Sequence, residues 1–266
     1  MTELANRLAG LTPAQRALLD RKMRERARTP ATAGPIPRRT GGDRVPLTVD
    51  QERIWLIHQF DAEDPLYNVY FASKLHGELD RDALQRATDA FVDRHEAMRT
   101  TFEQDGHTPV QVVHAAMDVP VRHVDLRSVP EEERDAELTR LATEEMRAPF
   151  DLVKGPLLRI AVLRVADDRH VLVGTVDHLV WDRGSMGIFN AEFAEFYTAF
   201  ATGREPQLPP IEVHYADYAE WQPQWLREEV QHNAKRCSTS TCRTGRSSSK
   251  APNWSWNCPP TGRVRR

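Results

Sequence analysis

Apolar positions recur along this chain in helix-like and strand-like periods that alternate irregularly. Leu4, Leu8 and Leu11, then Leu18, Leu19 and Met23, repeat at helical spacing, and Thr12-Pro13-Ala14-Gln15 between them reads as a capping box with proline at N1. Two short helices are therefore expected within residues 1–28. Residues 29–46 are rich in Pro, Gly and Arg, sustain neither period and read as a linker, so a globular domain is expected over 47–233.

From Leu47 the pattern becomes denser. Thr48 is placed to cap a helix presenting Ile54, Trp55 and Ile57 inward, and Tyr67 to Leu75 alternates as a strand. Asp80 opens a helix with Ala83, Leu84, Ala87, Ala90, Phe91 and Val92 on one face. Asp105-Gly106 between Phe102-Glu103-Gln104 and the run Pro109 to Val113 marks a hairpin. A further helix is expected from Pro130 to Arg147. Two strands follow, Gly155 to Val162 and His170 to Val176, turning at Asp167-Asp168, and then a helix carrying Ile188, Phe189, Phe193, Phe196 and Tyr197 that ends near Gly203. Strands and helices mixed without strict βαβ alternation predict an α+β sandwich.

The second of those strands ends abruptly in polar side chains: Asp177, His178, then Asp182, Arg183, Gly184 and Ser185. By period-2 alternation His178 shares a face with Gly174 and Val176 while Asp177 points to the opposite one, so only one of the two can enter a given cleft. A histidine at a strand end with a carboxylate four residues on is a candidate base with local support. On spacing alone the same residues also read as a satisfied strand-end histidine and a turn or helix-capping aspartate.

Composition narrows the class. The chain has 266 residues with 40% apolar content, enough for a buried core, and no apolar stretch approaches the roughly 20 residues of a membrane span. Glu3, Asn6 and Arg7 occupy positions where a signal peptide would be apolar, so a cytoplasmic location is expected. The formal charge of −3 hides an asymmetry, because residues 234–266 hold eight Lys or Arg and no acid, leaving 28 basic against 39 acidic residues before them. Nothing there suggests nucleic-acid binding. Cys237, Cys242 and Cys258 also lie in that tail at spacings that fit neither a zinc ribbon nor a redox pair, so no metal site is expected.

Four segments, taken in order, resemble the N-terminal half of a condensation domain of nonribosomal peptide synthetases. Thr48-Val49-Asp50-Gln51-Glu52-Arg53-Ile54-Trp55 resembles the family's first motif, and Arg94-His95-Glu96-Ala97-Met98-Arg99-Thr100-Thr101-Phe102 its second. Asp177 to Ser185 aligns with the third, usually His-His-x-x-x-Asp-Gly-Trp-Ser, and Tyr215-Ala216-Asp217-Tyr218-Ala219-Glu220-Trp221-Gln222 with the fourth. The resemblance implies a chloramphenicol-acetyltransferase-like lobe, a mixed sheet flanked by helices, that forms one wall of a tunnel. It implies amide bond formation between a carrier-bound acyl or peptidyl donor and an aminoacyl acceptor, with carrier proteins and adenylation domains as partners. No cofactor is implied beyond the phosphopantetheine thioesters on those carriers. His178 falls on the family's catalytic or positioning histidine, and Asp182 on a structural aspartate that pairs with an arginine, for which Arg159 is the matching position.

The chain departs from that pattern in three places. Asp177 replaces the first histidine, and a local repacking or a new ion pair is expected there. Arg183 replaces the glycine, narrowing the tunnel or placing charge in it, and Gly184 replaces the tryptophan, so Arg183, Gly184 and Ser185 are tunnel-lining candidates. No counterpart of the family's later motifs occurs, so these residues are expected to be inactive without a second lobe. A non-catalytic fragment that docks carrier proteins or another synthetase chain, and a stand-alone acyltransferase using coenzyme A, are the alternatives. Residues 234–266 read as a disordered basic tail or as an out-of-frame segment: in Asn253-Trp254-Ser255-Trp256-Asn257-Cys258 a one-base regrouping yields Leu-Glu-Leu-Glu-Leu when Ser255 uses an AGC or AGT codon.

Overall fold

A computed structural model describes residues 35–61 and 63–227. The expected helices in 1–28 and the tail at 234–266 lie outside the described residues. Two sheets organise the rest. The larger has strand order β2-β7-β6-β5, formed by β2 (Asn68–His76), β5 (Arg122–Asp125), β6 (Leu158–Ala166) and β7 (Arg169–Asp177). β7 is antiparallel to both neighbours, while β5 and β6 run parallel and are joined through helix α3 (Glu131–Arg147).

The two central strands are buried on both faces along their apolar middles, Ile160 to Leu163 of β6 and Leu172 and Val173 of β7. Leu158, Ile160 and Val162 of β6 and Leu172 and Val176 of β7 pack against helix α2 (Arg81–Arg94) and helix α4 (Ser185–Thr202) through Leu84, Phe91, Phe189 and Phe193. Leu163 and Val173 face the other way, onto Leu141 of α3. Each such large side chain, fully buried, stabilises the fold by about 1.5–3 kcal/mol. The mixed sheet between helices is the α+β lobe expected from the pattern.

One close approach inside that core bears on the site. Gly174 of β7 is paired with Phe71 of β2, and a Cβ on Gly174 would lie 2.1 Å from the Phe71 ring. The ring can lie over the strand only because glycine is there. Phe71 in turn stacks on Trp181 at 6.2 Å between centroids and packs against Phe189 at 4.9 Å. Thus the residue three places beyond His178 is held in the aromatic core.

The smaller sheet has order β1-β4-β3, with β1 (Arg44–Pro46), β3 (Thr100–Asp105) and β4 (Thr108–Val113). The hairpin turns at Gly106, which has φ of 63°. β1 precedes the expected start at Leu47: a three-residue strand has no period of its own and exists through its pairing with β4, Arg44 opposite Val112. Helix α1 (Val49–His58) carries the expected capping box, Thr48 Oγ1 accepting from Gln51 N–H and Gln51 Oε1 accepting from Thr48 N–H. Its buried face differs from the expected one. Gln51, Ile54 and His58 are inside, Trp55 is half-buried, and Leu56 and Ile57 are exposed. The two polar residues turn inward because each meets a specific partner near the end of β7. The last helix among the described residues, α5, covers 215–227. No helix among the described residues is long and apolar enough to cross a membrane.

Candidate active site

β7 delivers Asp177 to its last register position, opposite Asn68, and His178 follows with an exposed side chain. Asp177 is fully buried on the face of β7 away from Val176, and His178, in the turn just past the strand, is open to solvent. The backbone of this exit is fixed residue by residue. Asp177 N–H donates to Leu157 O at 3.0 Å, His178 N–H to Tyr67 O at 2.9 Å, and Val180 N–H back to Asp177 O at 3.1 Å. Asp177 Oδ1 accepts from Leu179 N–H at 2.8 Å, and Gln51 Nε2 donates to Leu179 O at 3.0 Å. The polar face of α1 therefore holds the turn that presents His178.

Asp177, where a repacking or a new ion pair was expected, faces His58, whose Nε2 lies 3.2 Å from Asp177 Oδ2. The two atoms are not aligned as a hydrogen bond, and neither has another partner among the described residues. The contact joins a carboxyl group with no exposed surface to an imidazole nearly as buried. The Tyr67 ring packs at 5.7 Å from His58 and at 6.4 Å, edge-on, from His178.

Asp182 caps the start of α4 instead of pairing with Arg159. Its Oδ1 accepts from Ser185 N–H at 2.9 Å and Ser185 Oγ at 2.7 Å, and its own N–H donates to Ser185 Oγ at 3.1 Å. The Ser185 hydroxyl first, and then the Ser185 N–H, hold the Asp182 carboxyl below the usual carboxylate range, against the opposing push of partial burial. A Cβ on Gly184 would lie 3.3 Å from Asp182 Oδ1, so glycine gives this capping turn room. Arg183 is exposed.

The expected Arg159–Asp182 pair is absent. Arg159 sits on β6 opposite Thr175, on the face of the sheet that Asp177 shares, and the chain has turned away from that face by Asp182. Its guanidinium instead stacks 3.8 Å over Phe150 and donates to Glu145 O, Ala148 O and Pro149 O. These are carbonyls at and just past the C-terminus of α3, where a cation is favoured by the helix dipole. Burial lowers the Arg159 pKa, with Glu145 and then Asp177 opposing that shift.

The remaining motifs form the frame around this exit. Glu96 takes a bidentate pair from Arg39, and Arg39 also reaches Asp217 Oδ1 with its backbone N–H at 3.1 Å and its guanidinium at 3.2 Å. His95 and Arg94 both bond Glu192 of α4. Tyr215 and Gln222 of α5 reach Thr48 Oγ1 and Val49 N–H at the head of α1. His95 and Glu96 thus fix elements together through Glu192 and Arg39. Sequence reasoning missed Arg39, His58 and the inward role of Gln51; only Gln51 had a signal, its place in the capping box.

A condensation-domain family profile matches residues 42–236. The chain belongs to the condensation-domain family. It is 40% identical over 196 residues to a linear gramicidin synthase of Brevibacillus parabrevis, covering 74% of this chain and 2% of that protein. It is 37% identical over 230 residues to phosphinothricin tripeptide synthetase PhsC of Streptomyces viridochromogenes, covering 86% of this chain and 21% of the relative. Among solved structures, the X-domain in complex with OxyB from teicoplanin biosynthesis superimposes with a TM-score of 0.66 at 32% identity, covering 74% of this chain and 42% of that one. This condensation-domain chain therefore spans less than half of the solved structure and a small part of the synthetases it matches.

Proposed function

We propose that this chain forms the N-terminal lobe of an amide-forming condensation domain in nonribosomal peptide synthesis, with His178 as the residue that orients and deprotonates the attacking amine. The observation that carries this reading is the presentation of His178: an exposed imidazole on a backbone whose neighbours are hydrogen-bonded to α1, to Leu157 and to Tyr67. Such rigidity is what alignment of two reactants requires. The amine nitrogen of the aminoacyl acceptor attacks the donor thioester carbon, a C–N bond forms, the C–S bond breaks, and the amine proton passes to His178 while the thiolate leaves. Both substrates are phosphopantetheine thioesters on carrier proteins, supplied by adenylation domains in the cytoplasm. Arg183, Gly184 and Ser185 lie along the path they take past His178. The test is a two-lobed domain containing these residues, given loaded donor and acceptor carriers, with the acceptor product read by mass spectrometry. Product absent from the parent domain, or undiminished in His178→Ala, overturns the proposal.

A second reading is favoured by the similarity to an X-domain solved in complex with another protein, OxyB. In it the lobe docks a partner without turnover, and the departures at Asp177 and Arg183 reflect release from catalysis. Carrier binding by the two-lobed domain with no product is the outcome that selects it.

A further inference from the structure

We infer that His58 is a positioning residue for His178, acting through Asp177 and Tyr67. His58 ends α1 with its ring 7% exposed, facing an Asp177 carboxylate that has no exposed surface. Taking either group out of water alone is costly, and neither facing atom has another partner among the described residues, so each depends on the other. The pair bears on both flanks of His178. On one side Asp177, the preceding residue, is anchored by its amide to Leu157 and by Oδ1 to Leu179 N–H. On the other, the Tyr67 ring packs against both His58 and His178, and Tyr67 O accepts the His178 amide. Moving His58 therefore displaces the residue before His178 and the ring beside it together. Gln51, two turns earlier on α1, grips Leu179 O, so the whole inner face of that helix serves this turn. The catalytic meaning of the inference rests on the reading of His178 as the reacting histidine, while its geometric content can be read without turnover.

The experiment uses the 266-residue chain with isotope-labelled histidine, the His178 ring signal being assigned by its loss in His178→Ala. Asp177→Asn keeps an oxygen acceptor for Leu179 N–H and replaces the carboxyl oxygen that His58 faces; it should move the His178 ring resonances. His58→Asp and Asp177→His should each lower the melting temperature by more than about 5 °C, and the double exchange His58→Asp/Asp177→His should recover most of that loss and return the His178 signal towards its parent position. Should the single exchanges fail to fold, Asp177→Asn and the double exchange carry the test. Altered melts with an unmoved His178 signal would reduce the pair to a stability element, and a double exchange no better than the singles would show that the two do not act on each other. Either result overturns the inference. If the signal responds as expected but His178→Ala leaves amide formation by a two-lobed domain intact, the positioning stands and the proposed function fails.

Discussion

The side-chain amide of Gln51 donates to the backbone carbonyl of Leu179, 128 residues further along the chain, and so ties the first helix of the lobe to the turn carrying His178. Gln51 is 3% exposed, and its Oε1 accepts from Thr48 N–H and from Gln111 Nε2. Replacing it by leucine leaves Leu179 O and Thr48 N–H buried without partners. Each such loss costs about 1–3 kcal/mol, so Gln51→Leu should lower stability by roughly 2–6 kcal/mol in a urea titration. Gln51→Glu keeps the acceptor but sets a buried carboxyl oxygen against Leu179 O, and at about pH 7 it should be at least as destabilising as Gln51→Leu.

Arg159 and Asp182 should behave independently. Arg159→Ala removes the stack on Phe150 and the donors to the end of α3, at a cost of about 2–4 kcal/mol. Asp182→Ala removes the Ser185 contacts at the start of α4, at about 0.5–2 kcal/mol. A double-mutant cycle should give a coupling below about 0.5 kcal/mol, whereas a direct ion pair between them requires a larger one.

Gly174 should not accept a side chain while Phe71 is present. The 2.1 Å approach of a Cβ to the ring forces the strand or the ring to move, and overpacking of this kind costs about 1–3 kcal/mol or more. Gly174→Ala should lower the melt. Phe71→Leu should recover part of that loss in the double variant, although alone it weakens the stack on Trp181.

Asp217 supplies a pH signature. Burial pushes its carboxyl up, but the N–H groups of His214 and Arg39 and the Arg39 guanidinium outweigh it and leave the pKa lowered. A carboxylate lowered in the folded state contributes stability above its unfolded pKa of about 3.9 and loses it as pH falls through the folded value. Stability should therefore decline below about pH 4, and Asp217→Asn should be less stable than the parent at about pH 7 and show a shallower decline in acid. Urea titrations from neutral to acid pH read both effects.

Much of this architecture is legible in the sequence where a single face is buried or a turn is obligatory. Leu158, Ile160 and Val162 alternate against α2 and α4, and Asp105-Gly106 turns the hairpin where expected. The order of the four motifs is likewise enough to point to the family. What could not be read depends on partners distant in sequence. β1 exists through β4, Arg39 is fixed by Glu96 and Asp217, and His58 turns inward to Asp177 although Ile57 is the more apolar neighbour. The Arg159–Asp182 expectation failed for a related reason. Strand register places Arg159 opposite Thr175, but the direction of the chain after Asp177 is set by Gln51, Tyr67 and Trp181, none of which local periodicity reveals.

Activity should require more than these 266 residues. His178 is open to solvent here, and Phe60, Leu66 and Leu56 are exposed large apolar residues, 83%, 66% and 53% accessible. The solved X-domain extends to more than twice the span matched, and a second wall over His178 is what would hold an amine and a thioester at attack distance. Without it the effective concentration of one carrier arm beside the other falls to that of free diffusion. The chain alone, mixed with loaded carriers, should give no condensed product by mass spectrometry. In a two-lobed domain, His178→Ala should reduce amide formation by roughly 10²-fold or more if proton transfer passes through this ring, because general base catalysis contributes on that scale. Arg183→Gly in the same domain should leave the rate equal or higher, since it removes a long, exposed cationic side chain from the segment that follows His178. Turnover by the lone lobe, or a large loss in Arg183→Gly, would mean that the reacting groups are aligned by something other than the exit of β7.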